Sequence, residues 1–257
     1  MNIQLNKEKS IGKVLYIVEG GKTEPNILYS LFVKVFDYQL ETILREKGYH
    51  KYNSKENPDS QVFVINAEES NIKYIAKDNE FLNNLFLELI ENYEFDVDNA
   101  AIYYIFDRDN QSNTDKKFLT EMLSTLTNSR ENVDYNRQGL LLLSYPSVES
   151  FILSCFPEKC FRKKFDTGNH LKQYLYTCKI DYKKLSEDVL LRATNELIDT
   201  LKEIGIERFD IDNVGEHNQV IFQYEEKMYA SEELYRSLSL LCVSLIDLGL
   251  IEIEIES

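Results

Sequence analysis

The chain lacks any apolar run of the roughly 18 residues that a membrane-spanning helix needs, so a helical membrane protein is excluded and no membrane partner is expected. It also lacks internal repeats, low-complexity tracts and long Gly, Pro or Ser linkers. Histidine and cysteine are scarce, at three and four residues. Cys155 and Cys160 stand close together, but no second thiol pair or histidine cluster accompanies them, which argues against a zinc site. Cys155 shares an apolar face with Phe151 and Ile152 and reads as core. With no secretory leader ahead of them, the four thiols are expected to be reduced, in a cytoplasm. Basic charge is short as well: 29 Lys and Arg against 44 Asp and Glu give a net charge of −15. That argues against a protein coated in nucleic acid, while leaving room for one basic face.

What is present is a recurring strand and helix pattern, in a chain whose 257 residues allow one full core and a smaller second unit. Val14 to Val18 is a continuous β-branched and aromatic run, the form of a strand buried on both faces. Gly20 and Gly21 permit a tight turn, Thr23 or Glu24 can cap a helix, and Ile27, Leu28, Leu31, Phe32 and Val35 form its apolar stripe. Gln61 to Asn66 reads as a second strand, followed by a helix marked by Phe81, Leu82, Leu85, Phe86, Leu89 and Ile90. Ala101 to Phe106 is a third, backed by a helix through Phe118, Leu119, Met122, Leu123 and Leu126, and Gly139 to Leu143 is a fourth. Strands alternating with helices imply parallel pairing and right-handed crossovers. Residues 11–150 are therefore expected to form one doubly wound α/β domain. Residues 151–257 read as an α-rich extension, with helices over 185–204 and 231–248. A one-sided strand through Ile251, Ile253 and Ile255 could add to a partner's sheet or to a second copy of the chain. The stretch from Phe209 to Lys227 fits hairpin or helix.

Three short strings carry the chemistry. Glu19-Gly20-Gly21-Lys22-Thr23-Glu24-Pro25 follows the first strand, Asp107-Arg108-Asp109 follows the third, and Ser144-Tyr145-Pro146-Ser147-Val148-Glu149 follows the fourth. The carboxyl edge of an open α/β sheet is where ligands bind. Carboxylates gathered there suit Mg²⁺ or Mn²⁺, hard cations that take oxygen ligands together with water and substrate phosphate. Asp107 and Asp109, two apart, would point to one side of an extended segment and clamp one ion. Glu19 would face the same crevice if strands one and three are neighbours, as a metal ligand or a general acid or base. Each string has a plainer reading. D-x-D also occurs as a solvated turn, Glu24 as a helix-start carboxylate and Glu149 as a capping residue. Glu-Gly-Gly-Lys lacks the spacing of a P-loop.

In combination and order these strings resemble the RloB-like branch of the TOPRIM superfamily, whose pattern runs approximately E-G-x-x-T-E-P, D-x-D, S-x-P-x-x-E. The resemblance covers about residues 13–152. It implies a TOPRIM-like fold with Glu19 as catalytic glutamate, Asp107 and Asp109 as the metal pair, and Glu24 and Glu149 as further members of the site. It also implies a Mg²⁺- or Mn²⁺-dependent endonuclease that acts as a toxic effector in bacterial anti-phage, abortive-infection loci, controlled by an ABC- or SMC-like ATPase. The chain carries no ATPase signature of its own and no strand-passage architecture of a topoisomerase.

The charge distribution fits a polyanionic substrate. Residues 159–184 hold eight basic and two acidic side chains, a net +6 against −21 for the remainder. Lys22, Arg162, Lys163, Lys164, Lys172 and Lys183 are the candidate phosphate contacts, although such a run can equally be a solvated face. His170 and Tyr174 lie in the same window. DNA and RNA, tRNA included, both remain open as substrate, because contacts to the 2′-hydroxyl leave no spacing signature. Two other functions compete: an inactive TOPRIM-like module that regulates an ATPase or senses a phage product, and nucleotidyl transfer of the primase type.

Overall fold

The computed structural model describes residues 2–44, 48–67, 79–110, 113, 115–130 and 139–254. In chain order its strands are β1 (Asn2–Leu5), β2 (Lys13–Val18), β3 (Tyr38–Leu44), β4 (Tyr49–Ser54), β5 (Gln61–Asn66), β6 (Ala101–Asp107), β7 (Thr127–Asn128), β8 (Gly139–Tyr145), β9 (Lys164–Phe165), β10 (Tyr235–Arg236), β11 (Leu238–Ser239) and β12 (Ile251–Glu254). The α-helices are α1 (Thr23–Tyr29), α2 (Asn79–Tyr93), α3 (Lys116–Thr125), α4 (Glu149–Ser154), α5 (Gly168–Thr177), α6 (Glu187–Ile204), α7 (Val214–Glu232) and α8 (Leu241–Asp247).

The four apolar runs read as strands lie side by side and parallel in the order β8-β6-β2-β5. Their interiors are buried on both faces, Val14 to Val18 and Ala101 to Phe106 almost completely, which is why no polar alternation interrupts them. From β2 the chain steps out to β5 on one side, then returns to β6 on the other. Connections after β2 and β6 therefore diverge, leaving a crevice at their carboxyl ends.

The sheet is mixed, not wholly parallel. β3 and β4 form an antiparallel hairpin that extends the sheet beyond β5, and β7 and β11 both run antiparallel to β8. The hairpin is hidden in sequence because its strands are interrupted by polar residues such as Gln39, Glu41, Lys51 and Asn53. Aromatic packing holds it to the centre: Phe32, on the π-helical stretch Ser30–Val35 after α1, lies 5.9, 5.4 and 6.2 Å from the rings of Tyr16, Tyr38 and Tyr52. Pairs of this kind add about 0.5–1.5 kcal/mol each beyond the area they bury.

Residues beyond Ser150 are built into the same core. One buried hydrophobic cluster includes β2, β6 and β8 together with α4, α6 and α8. Polar bonds cross the division, from Tyr16 to Ser244 at 3.0 Å and from the Asn218 amide to the Leu141 carbonyl at 2.8 Å. The helix expected over 185–204 is α6, and 209–227 resolves into a short turn followed by α7. The single helix expected over 231–248 is not formed: α7 ends at Glu232, β10 and β11 follow, and α8 begins at Leu241. Leu238 to Leu245 are buried at every position, so the segment carries no one-sided period to read. β12 pairs with the chain's own β1, from Asn2 opposite Glu254 to Leu5 opposite Ile251. Ile255 lies outside the described residues.

Candidate active site

The first and third apolar strands are neighbours, so Glu19 and Asp107 meet at the crevice. Glu19 accepts the Asp107 backbone N–H at 2.8 Å through Oε2, which ties the ends of β2 and β6 together. The Asn113 amide reinforces the join, donating to the Asp107 carbonyl at 2.6 Å and to Glu19 Oε2 at 3.3 Å. Glu24 folds back over the turn to accept the Gly20 N–H at 3.0 Å. A Cβ at Gly20 would lie 2.5 Å from Glu24 Oε2, so a larger residue there would displace the Glu24 carboxylate. No side chain caps α1: Lys22 holds the position before it, and Glu24 faces the cleft as a buried group.

The third string closes the opposite wall. The Tyr145–Pro146 peptide is cis. Ser147 donates to Glu149 Oε2 at 2.8 Å, and the Val148 N–H donates to Asp107 Oδ1 at 2.8 Å. Glu149, the first residue of α4, is buried. From α5 the Lys172 ammonium reaches Glu149 Oε1 at 3.3 Å while staying half exposed. The result is an open cleft of about 520 Å³ lined by Glu19, Glu24, Asp107 and Glu149, with Lys22 and Lys172 as its cations.

Burial first, and charge crowding after it, raise the pKa values of two acids in the cleft. Burial, followed by the repulsion of Glu19, Glu24 and Glu149, holds the Asp107 carboxyl well above the ordinary carboxylate range. Burial and the nearby Glu149 also push Glu24 up. Burial works against the Lys172 ammonium, but Glu149, Asp107 and Glu24 outweigh it and hold its pKa above the usual lysine value. Like charges desolvated together produce this pattern, and perturbed acids in a cleft mark candidate functional sites.

Asp109 is not where an alternating strand would put it. β6 ends at Asp107, so the two-residue period stops there, and Asp109 accepts the Gly168 N–H at 2.8 Å, outside the cleft lining. It docks the start of α5, where Gly168 presses on Ser147 so closely that a Cβ would lie 2.9 Å from the serine Cβ. In the structure Asp107 lines the cleft, while Asp109 Oδ2 seats the helix that carries Lys172.

The basic window is also divided. Arg162 and Lys164 are engaged by Glu203 and Glu232 at 3.2 and 2.5 Å. Lys163 lies over the Tyr174 ring, 4.9 Å from its centroid. Lys183 is exposed but is not part of the cleft. His170 pairs with Asp166 at 3.0 Å and packs edge-on to Phe165. Of the six candidate phosphate contacts, only Lys22 and Lys172 line the acidic cleft.

Two supporting residues escaped the sequence reading. Arg108 turns inward, almost fully buried, donating to Glu226 Oε1 at 2.6 Å and to the Asn113 carbonyl at 2.7 Å, with its guanidinium over the rings of Phe222 and Tyr235. Asn113 in turn holds Glu19. An arginine between two strand-end aspartates was the available signal, and the acid it pairs with lies 118 residues away.

Comparison with family models, curated proteins and solved structures finds no match. Among the described residues no three His, Cys, Asp or Glu side chains are grouped so as to hold a metal ion. Mg²⁺, however, is usually bound through only one or two carboxylates, with water and substrate phosphates completing its octahedron. The donor chemistry of the cleft suits such a cation, whose charge would relieve the crowding at Asp107.

Proposed function

We propose that this chain is a metal-dependent phosphodiesterase that cuts nucleic acid, with a TOPRIM-like catalytic fold braced by its C-terminal region. The observation that carries the reading is the convergence of Glu19, Glu24, Asp107 and Glu149, from three separate strings, on one solvent-open cleft at the switch point of the sheet. Asp107 and Glu19 are the residues to hold a Mg²⁺ or Mn²⁺ ion. Such an ion supplies Lewis-acid polarisation of a phosphoryl oxygen and activates water. Glu24, whose proton burial and the nearby Glu149 hold more tightly than in an ordinary glutamate, is the carboxyl suited to give a proton to the leaving oxygen. Lys172 and Lys22 offer positive charge to the phosphate flanking the cut.

The biological setting follows from the resemblance alone: an effector of anti-phage abortive infection in the bacterial cytoplasm, held in check by an ABC- or SMC-like ATPase, as monomer or homodimer. An alternative, a catalytically inactive module that regulates such an ATPase or binds a phage product, draws on the absence of a three-ligand group among the described residues and on Lys172 reaching into the cleft.

Incubation of the purified protein with total tRNA, single-stranded DNA and plasmid DNA in Mg²⁺, Mn²⁺ or EDTA, beside Glu19→Gln, separates the two. Metal-dependent cutting that the variant loses supports the nuclease and names its substrate. Cutting that survives Glu19→Gln sinks the site. No cutting by the protein, alone or with the ATPase, favours the regulatory module.

A further inference from the structure

A second groove, of about 910 Å³, runs along α5 away from the acidic cleft and shares Thr23, Glu149 and Lys172 with it. Its floor is apolar, from Ile152, Leu175 and Ile180, and Lys179 and Lys184 stand at its edge together with Asp181. Tyr176, one helical turn beyond Lys172, lines it while remaining 86 % exposed. No other large apolar or aromatic side chain among the described residues is as exposed. A tyrosine ring held in water beside lysines is poorly explained by packing.

We propose that this groove is a subsite for an unpaired stretch of the substrate strand, in which a base stacks on Tyr176 and Lys179 and Lys184 take its phosphates. The inference rests on the nuclease reading and adds a substrate class to it. Lys172 belongs to both clefts, so a backbone lying along α5 would pass from the tyrosine to the carboxylates within one turn, about 6 Å along the axis. A ring that projects from a groove edge can receive a base only if that base has an open face, as in single strands, loops and bulges but not in a continuous duplex. Stacking of this kind tolerates any base, because every base has a π-face. The volume falls within the ~300–1,000 Å³ typical of sites that enclose small ligands. Arg162 and Lys164, although in the same basic window, are held by Glu203 and Glu232. Neither Lys179 nor Lys184 has an ion-pair partner among the described residues.

The chain contains no tryptophan, so Tyr176→Trp introduces a single reporter at the stacking position. In EDTA, titration with end-labelled single-stranded DNA and RNA oligonucleotides should quench its fluorescence in step with the anisotropy of the label, and the matching duplexes should not. Tyr176→Ala should weaken single-strand binding by about tenfold, Tyr176→Phe should retain it, and Lys179→Ala with Lys184→Ala should lower it and flatten its salt dependence. The subsite is overturned if oligonucleotides bind without changing the fluorescence, if duplex quenches equally, or if nothing binds. Cleavage of the same oligonucleotides by the unmodified protein in Mn²⁺ is scored separately. Cutting without quenching removes the subsite and leaves the nuclease, whereas quenching without cutting removes the nuclease and leaves a strand-binding groove.

Discussion

Two clusters of buried acids flank Asp107-Arg108-Asp109, and they are neutralised differently. On one side Glu19, Glu24, Asp107 and Glu149 share an open cleft in which Lys172 makes the one ion pair between described residues, a 3.3 Å contact to Glu149. On the other, Glu226 meets the buried Arg108 at 2.6 Å, and Glu225 accepts the Arg236 N–H at 3.0 Å. The inner cluster pairs Glu226 with a buried, aromatic-lined guanidinium, as a structural anchor requires, because a buried charge without a partner is costly, while Glu225 keeps one buried oxygen without a hydrogen-bond partner. The cleft gathers four carboxylates beside Lys22 and Lys172 and opens to water, the arrangement that the proposed cation and phosphate would fit. Neighbouring residues of a single loop thus serve opposite ends: Arg108 fixes the loop so that Asp107 can sit in an unfavourable field.

Breaking the anchor should have the largest effect. Arg108→Met leaves Glu226 buried without its guanidinium and should cost about 3–5 kcal/mol, lowering the melting temperature by roughly 10 °C in a chain of this size. Adding Glu226→Gln should restore part of that loss, since it removes a buried charge left with only the exposed Lys116 ammonium, 3.7 Å away, as a partner. A singly substituted protein that melts like the parent would show the pair to be dispensable. In the cleft the pattern should invert. Glu19→Gln and Asp107→Asn keep oxygens able to accept the Asp107 and Val148 N–H bonds, so melting should be unchanged or raised while cleavage falls by about 10³-fold. Equal loss of folding and cutting in these variants would mean that the cleft is structural too.

The same contrast explains what could be read in advance. The parallel centre was legible because strands buried on both faces are unbroken apolar runs, and Glu19 and Asp107 were legible because they lie at strand ends, whereas Glu24 and Glu149, on helices, were pointed to by the resemblance alone. The β3–β4 hairpin was not, since half-exposed strands mix polar and apolar residues without a long run. Nor was Asp109, whose position follows from where β6 stops and where Gly168 arrives from 59 residues away. The Arg108–Glu226 anchor, across 118 residues, leaves no local period at all. Local chemistry can be seen in the sequence, whereas the supports that hold it come from distant segments.

A smaller effect should appear with pH. Burial, with some help from Glu226, pushes the Glu225 carboxyl up to about 8 from an ordinary 4.5. The folded chain therefore holds this proton where the unfolded chain has released it. The stability it contributes is complete below about pH 4.5 and is lost as pH rises through about 8, a change of a few kcal/mol at most. Glu225→Gln keeps an acceptor for the Arg236 N–H and cannot ionise. It should melt higher than the parent at pH 8–9 and flatten the dependence between pH 5 and 9; an unchanged profile would mean that the carboxylate finds solvent.

The smallest effect is the one that separates the clusters most directly. A divalent cation that binds the folded cleft stabilises the chain by mass action, about 1.4 kcal/mol at ten times its dissociation constant, or roughly 3–6 °C. Mg²⁺ should therefore raise the melting temperature of the parent and of Glu226→Gln alike, but not that of Asp107→Asn. Because the Asp107 carboxyl is held high by burial and by Glu19, Glu24 and Glu149, a proton competes with the metal for it. The Mg²⁺ shift should accordingly grow as pH rises and the carboxyl gives up its proton. A shift that is indifferent to both pH and Asp107→Asn would place the cation elsewhere, and the excess of acid in the cleft would then need a different partner, of which the Lys172 ammonium is the one already at hand.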